Sequence, residues 1–125
     1  MAKIGTAITE IDVTYILSNN FDNLVKWYNK TLLLELGYGD SHWQEFKLPN
    51  GSRFAIHKSN KDKTPSNNVI ISFKVDDINK AIKELSSIGI EFILDDGNII
   101  HDAGPSLIIT FNDIDNNKIQ ISQTK

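Results

Sequence analysis

The residue pattern of positions 13–58 starts over at positions 70–122, and this repetition constrains the fold more than any single motif. In the first half, residues 13–17 are β-branched and aromatic and predict a strand. Ser18, Asn19 and Asn20 then offer N-cap groups before Phe21, Leu24, Val25, Tyr28 and Leu32, whose spacing marks one face of a helix. Runs at 34–38, 42–48 and 53–58, with a turn at Pro49, Asn50 and Gly51, predict three more strands. In the second half, residues 70–75 predict a strand and Asp77 an N-cap. Ile78, Ala81, Ile82, Leu85 and Ile88 form the helix face, and Gly89 stops it in the left-handed C′ position. Three strands are again expected, at 90–94, 107–111 and 118–122.

Val13 falls on Ile70, Asn20 on Asp77, Val25 on Ile82 and Tyr28 on Leu85 at one constant offset. Phe46 falls on Phe111, Arg53 on Lys118 and Ile56 on Ile121 at a second, the polar loop 95–105 accounting for the difference. The chain is therefore read as a duplicated β-α-β-β-β unit of the α+β class. One domain, 1–125, is expected, with module one at about 8–58, a polar connector at 59–68 and module two at about 69–125.

Composition narrows the function. Thirteen Lys+Arg against sixteen Asp+Glu leave a net charge of −3, and Arg53 is the single arginine, so no electrostatic footprint for nucleic acid is present. The absence of cysteine removes disulfides, thiolate metal sites and a cysteine nucleophile, and fits a reducing compartment. Residues 1–9 lack a signal-peptide core and no apolar run approaches the roughly 20 residues of a membrane helix, so a chain that starts here and stays in the cytoplasm, away from membranes, is expected. No Ser-His-Asp order, phosphate-cradling loop or dinucleotide fingerprint occurs.

Three stretches carry a resemblance. Trp27-Tyr28-Asn29-Lys30-Thr31-Leu32 is similar to a Phe-Tyr-x-x-x-Leu-Gly helix end. Lys74-Val75-Asp76-Asp77 precedes the second helix, and Asp113-Ile114-Asp115-Asn116-Asn117-Lys118-Ile119-Gln120 is similar to Asp-Pro-Asp-Gly-Asn-x-Ile-Glu. In this order and spacing, over essentially the whole chain, they resemble the glyoxalase/bleomycin resistance protein/dioxygenase, or vicinal oxygen chelate, superfamily. Leu33 stands where that family prefers Gly, and Ile114 where it prefers Pro. The resemblance implies two modules forming a curved sheet around a cleft, helices on the convex side, and a homodimer.

It also implies a divalent metal held by one His or Gln and one Glu from each module. The corresponding positions here are Val13, Ala55, Ile70 and Gln120. Three offer no lone pair and Gln120 is a single neutral oxygen donor, so no metal and no cofactor are expected.

Strand parity supplies the candidate site. If Phe46, Phe54, Ile56, Ile71, Phe73, Phe111, Ile119 and Ile121 face the helices, the opposite faces hold Tyr15, Trp43, Glu45, Arg53, His57, Ser72, Lys74, Lys118 and Gln120. The expected function is sequestration or sensing of a small organic ligand, an anionic aromatic molecule held by Arg53 and stacked near Trp43. Two alternatives stay open. One is a lyase, isomerase or dioxygenase-like enzyme of the same family with an atypical or no metal site, using His57 or Glu45 as base. The other is a peptide- or protein-interaction module.

Overall fold

The fold is seen in a computed structural model that describes residue 7, residues 10–59 and residues 69–125. The chain divides into two compact units between Lys63 and Thr64. The first contains strand β1 (Thr14–Ser18), helix α1 (Phe21–Lys30) and strands β2 (Glu35–Gly39), β3 (Trp43–Lys47) and β4 (Arg53–Lys58). The second contains β5 (Ile71–Lys74), α2 (Ile78–Ser87), β6 (His101–Asp102), β7 (Ser106–Asn112) and β8 (Lys118–Thr124). Each forms its own four-stranded sheet, in the order β1-β4-β3-β2 and β5-β8-β7-β6. The expected connector 59–68 lies, apart from Ser59, outside the described residues.

The duplication extends to the register. Thr14 pairs with Phe54 as Ile71 pairs with Ile119, and Tyr15 with Ala55 as Ser72 with Gln120, both in parallel ladders. Trp43 pairs with His57 as Ile108 pairs with Ser122, and Glu45 with Ala55 as Thr110 with Gln120, both antiparallel. Because side chains alternate across a sheet, a shared register hands each module the same division into a helix-facing set and an open set.

In module one the helix-facing set is aromatic. Tyr28 of α1 lies 5.0 Å from Phe54 and 6.0 Å from Phe46 between ring centroids, and Phe46 stacks on Phe54 at 5.7 Å. Leu24, Phe21 and Ile56 complete this buried cluster. In module two Ile78 and Leu85 of α2 are buried with Ile109, Phe111, Ile119 and Ile121, and Phe92 meets Phe111 edge-on at 6.2 Å.

The helix ends show which local signals were read by the backbone. Asp77 accepts a hydrogen bond from the backbone N–H of Lys80, and the Gln123 side chain takes that of Ile78, so two of the orphan donors of α2 are satisfied. Gly89 closes α2 at φ 88°. At α1 the outcome differs. Asn20 occupies the cap position, but its side-chain oxygen accepts from the Asn23 amide. The helix stops at Lys30 rather than Leu32, because the chain turns through Leu33 at φ 59° and Asn29 Nδ2 caps the Leu34 carbonyl at 2.8 Å.

One expected strand is corrected. Residues 90–94 form no ladder: Phe92 makes an isolated bridge to Phe111, and Ile93 N–H donates to the Thr110 carbonyl. A tight turn closed by Asp95 and Asn98, with Asp96 and Gly97 both at positive φ, lifts the chain away. Pairing with β7 resumes at β6, inside what the sequence marked as loop. No helix among the described residues is long and apolar enough to cross a membrane.

Candidate functional site

The open face of the module-one sheet gathers five of the eight expected site residues. Tyr15 comes from β1, Arg53 and His57 from β4, and Trp43 and Glu45 from β3, all on alternate positions of neighbouring strands. Tyr15, Trp43 and His57 form a triangle of edge-on rings, with centroids 5.1 Å (Tyr15–Trp43), 5.8 Å (Trp43–His57) and 6.2 Å (Tyr15–His57) apart. Tyr15 is 51% exposed. In each edge-on contact the positive edge of one ring meets the negative face of the other.

Beside the triangle lies a charged row. The Trp43 indole Nε1–H donates to Glu45 Oε2 at 2.9 Å, and Arg53 Nη1 donates to the same oxygen at 3.0 Å. Arg53 Nη2 donates to Asp12 Oδ1 at 2.8 Å. The hydrogen bond to Asp12, followed by that to Glu45, holds the guanidinium's pKa above its ordinary value. Ala55, fully buried, is the floor between Tyr15 and Glu45 on the strands either side. The row positions Trp43 as well, because Asp40 Oδ1 accepts from the backbone N–H groups of His42 and Trp43 at the turn entering β3. Chiefly the bond from His42 N–H draws the Asp40 carboxyl below its ordinary value.

Asp12 is the site residue that sequence reasoning missed. Its contact with Arg53 spans 41 positions, and it precedes the first strand, so no local period marks it. Its presence changes the charge around Arg53. Two carboxylates each take one N–H of the guanidinium, and the three groups together carry a net charge of −1.

The other three expected residues, Ser72, Lys118 and Gln120, share the open face of the module-two sheet. Ser72 pairs with Gln120 and Asn112 with Lys118, and Thr110 and Ser122 lie among them. This face is neutral and hydroxyl-rich apart from Lys74 and Lys118. Ile108 stands where module one has Trp43, Thr110 where it has Glu45, and Ser122 where it has His57.

The donor set was tested for the metal that the resemblance implies. Val13, Ala55 and Ile70 offer no lone pair at three of the four positions, and at the fourth Gln120 offers one neutral oxygen. Among the described residues no three His, Asp or Glu side chains converge as a metal site elsewhere. These residues do not fit a divalent ion.

No protein-family model matches the sequence, and no curated protein matches it. Solved structures do. A glyoxalase family protein from Bacillus anthracis superposes with a TM-score of 0.78 at 21% identity, over 94% of this chain and 97% of that one. A lactoylglutathione lyase from Agrobacterium tumefaciens gives 0.73 at 14% identity over 93% and 94%. The genomically encoded fosfomycin resistance protein FosX from Listeria monocytogenes gives 0.70 at 16% identity over 94% and 95%. With its two βαβββ modules, the chain has the fold of the glyoxalase/bleomycin resistance protein/dioxygenase structures.

Proposed function

We propose that the protein binds a small organic molecule, without a metal, on the open face of its module-one sheet, and so sequesters or senses a drug or metabolite. The observation that carries this reading is the triangle of Tyr15, Trp43 and His57: three rings within 5.1–6.2 Å of one another, outside the core, beside a carboxylate and a guanidinium. Small-molecule sites are typically aromatic surfaces with a few placed polar groups, and a planar ligand gains most on such a platform. Similarity to structures named as a lyase and as a fosfomycin resistance protein is compatible with recognition of small molecules in this fold. The unsuitable donor set supports binding over the metal-dependent reactions implied by the resemblance. The chain's lack of cysteine suits residence in the cytoplasm.

The test is a thermal-shift panel of planar aromatic molecules, followed by calorimetric titration of those that bind, on wild type, Trp43→Leu and Tyr15→Ala. At least one member should raise the melting temperature and lose tenfold or more in affinity in both variants. No stabilisation by any member, or equal affinity in the variants, would overturn the proposal.

A homodimer is proposed with it. Leu33, Leu36 and Tyr38, at and before edge strand β2, are 80%, 45% and 66% exposed, and an uncovered apolar edge favours association. Light scattering should give the mass of two chains, and that of one would reject the dimer.

A further inference from the structure

We infer that the ligand of this face is a planar aromatic cation, bound over the rings of Tyr15, Trp43 and His57 with its charged N–H group directed to Oε1 of Glu45. The inference rests on the proposed binding function and names its ligand class. Glu45 is the hub of the face. Its Oε2 is occupied twice, by Trp43 Nε1 and by Arg53 Nη1. Its Oε1 receives no hydrogen bond from any described residue, although the side chain is only 16% exposed. The side chain keeps some contact with solvent, and no buried side-chain oxygen or nitrogen among the described residues lacks a partner. A carboxylate oxygen in that position is an acceptor awaiting a donor, and a charged donor makes the stronger bond.

Electrostatics favour the same sign. Arg53 bridges two carboxylates, leaving a net charge of −1 on Asp12, Glu45 and Arg53 together. The face of a Trp or Tyr ring is the negative side of its quadrupole, and a cation seated over it is attracted. An anion placed over the rings would meet the net negative charge of this group, and at Arg53 it would compete with carboxylates already held at 2.8 and 3.0 Å for the guanidinium's charge.

The experiment compares three tricyclic molecules of closely similar size: cationic 9-aminoacridine, neutral acridone and anionic anthracene-9-carboxylate. Each is titrated by calorimetry into wild type, Glu45→Gln and Trp43→Leu at low and high salt. Glu45→Gln keeps an oxygen for Trp43 and Arg53 while removing the charge, and circular dichroism establishes that each variant is folded. In wild type the cation should bind at least tenfold more tightly than either partner, and the preference should shrink with salt. Glu45→Gln should abolish that preference, and Trp43→Leu should weaken every molecule that binds. If the three bind equally, if the anion leads, or if the preference survives Glu45→Gln, the cation inference falls while the aromatic platform stands. If none binds, the proposed binding function falls with it.

Discussion

Phe46 and Trp43 lie on the same strand, three positions apart and so on opposite faces, and their substitution separates folding from binding. Phe46 is fully buried, with Tyr28 at 6.0 Å and Phe54 at 5.7 Å. Removing its ring forfeits the burial of a large apolar group and opens a cavity between two other rings, so Phe46→Ala should cost about 3–5 kcal/mol. Against a total stability of roughly 5–15 kcal/mol, that is a large share. Phe111 holds the equivalent place in module two, is equally buried, and among the described residues has one aromatic neighbour, Phe92 at 6.2 Å. Phe111→Ala should therefore cost less by about one aromatic pair, roughly 0.5–1.5 kcal/mol. Trp43→Leu removes a half-buried ring, its edge-on contacts with Tyr15 and His57 and a hydrogen bond to a carboxylate, and should cost roughly 1.5–3 kcal/mol. Urea unfolding followed by circular dichroism gives each value from the shift in midpoint at unchanged slope. If Phe46→Ala does not fold, Phe46→Leu reports on the same cavity, with an expected cost of about 1–2 kcal/mol. The reasoning is refuted if Phe46→Ala costs under about 2 kcal/mol, or if Trp43→Leu costs as much, because the faces of β3 would then be assigned wrongly.

Leu33 is 80% exposed and holds a left-handed conformation that disfavours any side chain with a Cβ. Relief of about 1–2 kcal/mol of strain should outweigh the 0.4–1 kcal/mol that glycine adds to the unfolded chain's entropy, so Leu33→Gly should raise the urea midpoint; a lower midpoint would contradict this. The Asp40 carboxyl, drawn below its ordinary 3.8 in the folded protein, contributes stability that is present above that value and is lost as pH falls through the lowered one. Wild type should accordingly exceed Asp40→Asn in stability at neutral pH, the difference closing as pH falls through the lowered value; a gap that widened in acid would show the sign to be wrong. Elemental analysis of tag-free protein should find far less than one zinc, nickel, iron or manganese per chain, whereas stoichiometric metal would mean that side chains other than those at positions 13, 55, 70 and 120 bind it.

Much of this site was legible because two periods govern it. The period of two put Tyr15, Trp43, Glu45, Arg53 and His57 on one face, and the ladders bring them together there. The longer repeat aligned α1 with α2 residue for residue, from Phe21 and Ile78 at their starts to Lys30 and Ser87 at their ends. Neither period reaches Asp12, whose ion pair depends on how the chain enters β1, so counting charges on strand residues alone left out one of the two carboxylates around Arg53. Nor does a short apolar run such as 90–94 reveal that a four-residue turn follows and interrupts the ladder.

Comparing the modules with each other shows which residues the fold needs. Facing the helices, Phe46 answers to Phe111, Phe54 to Ile119, Ile56 to Ile121, Phe21 to Ile78 and Tyr28 to Leu85; every pair is buried and apolar in character, because each must fill the same space under a helix. On the open faces Tyr15 answers to Ser72, Trp43 to Ile108, Glu45 to Thr110, Ala55 to Gln120 and His57 to Ser122. There the chemical class changes at each of these places while the backbone register does not, whereas Arg53 answers to Lys118 and keeps its charge. A module of this topology thus folds with either set, so packing does not require three rings and a carboxylate on the face of module one. The three rings and the carboxylate of that face are the part of the sequence that the proposed binding function accounts for.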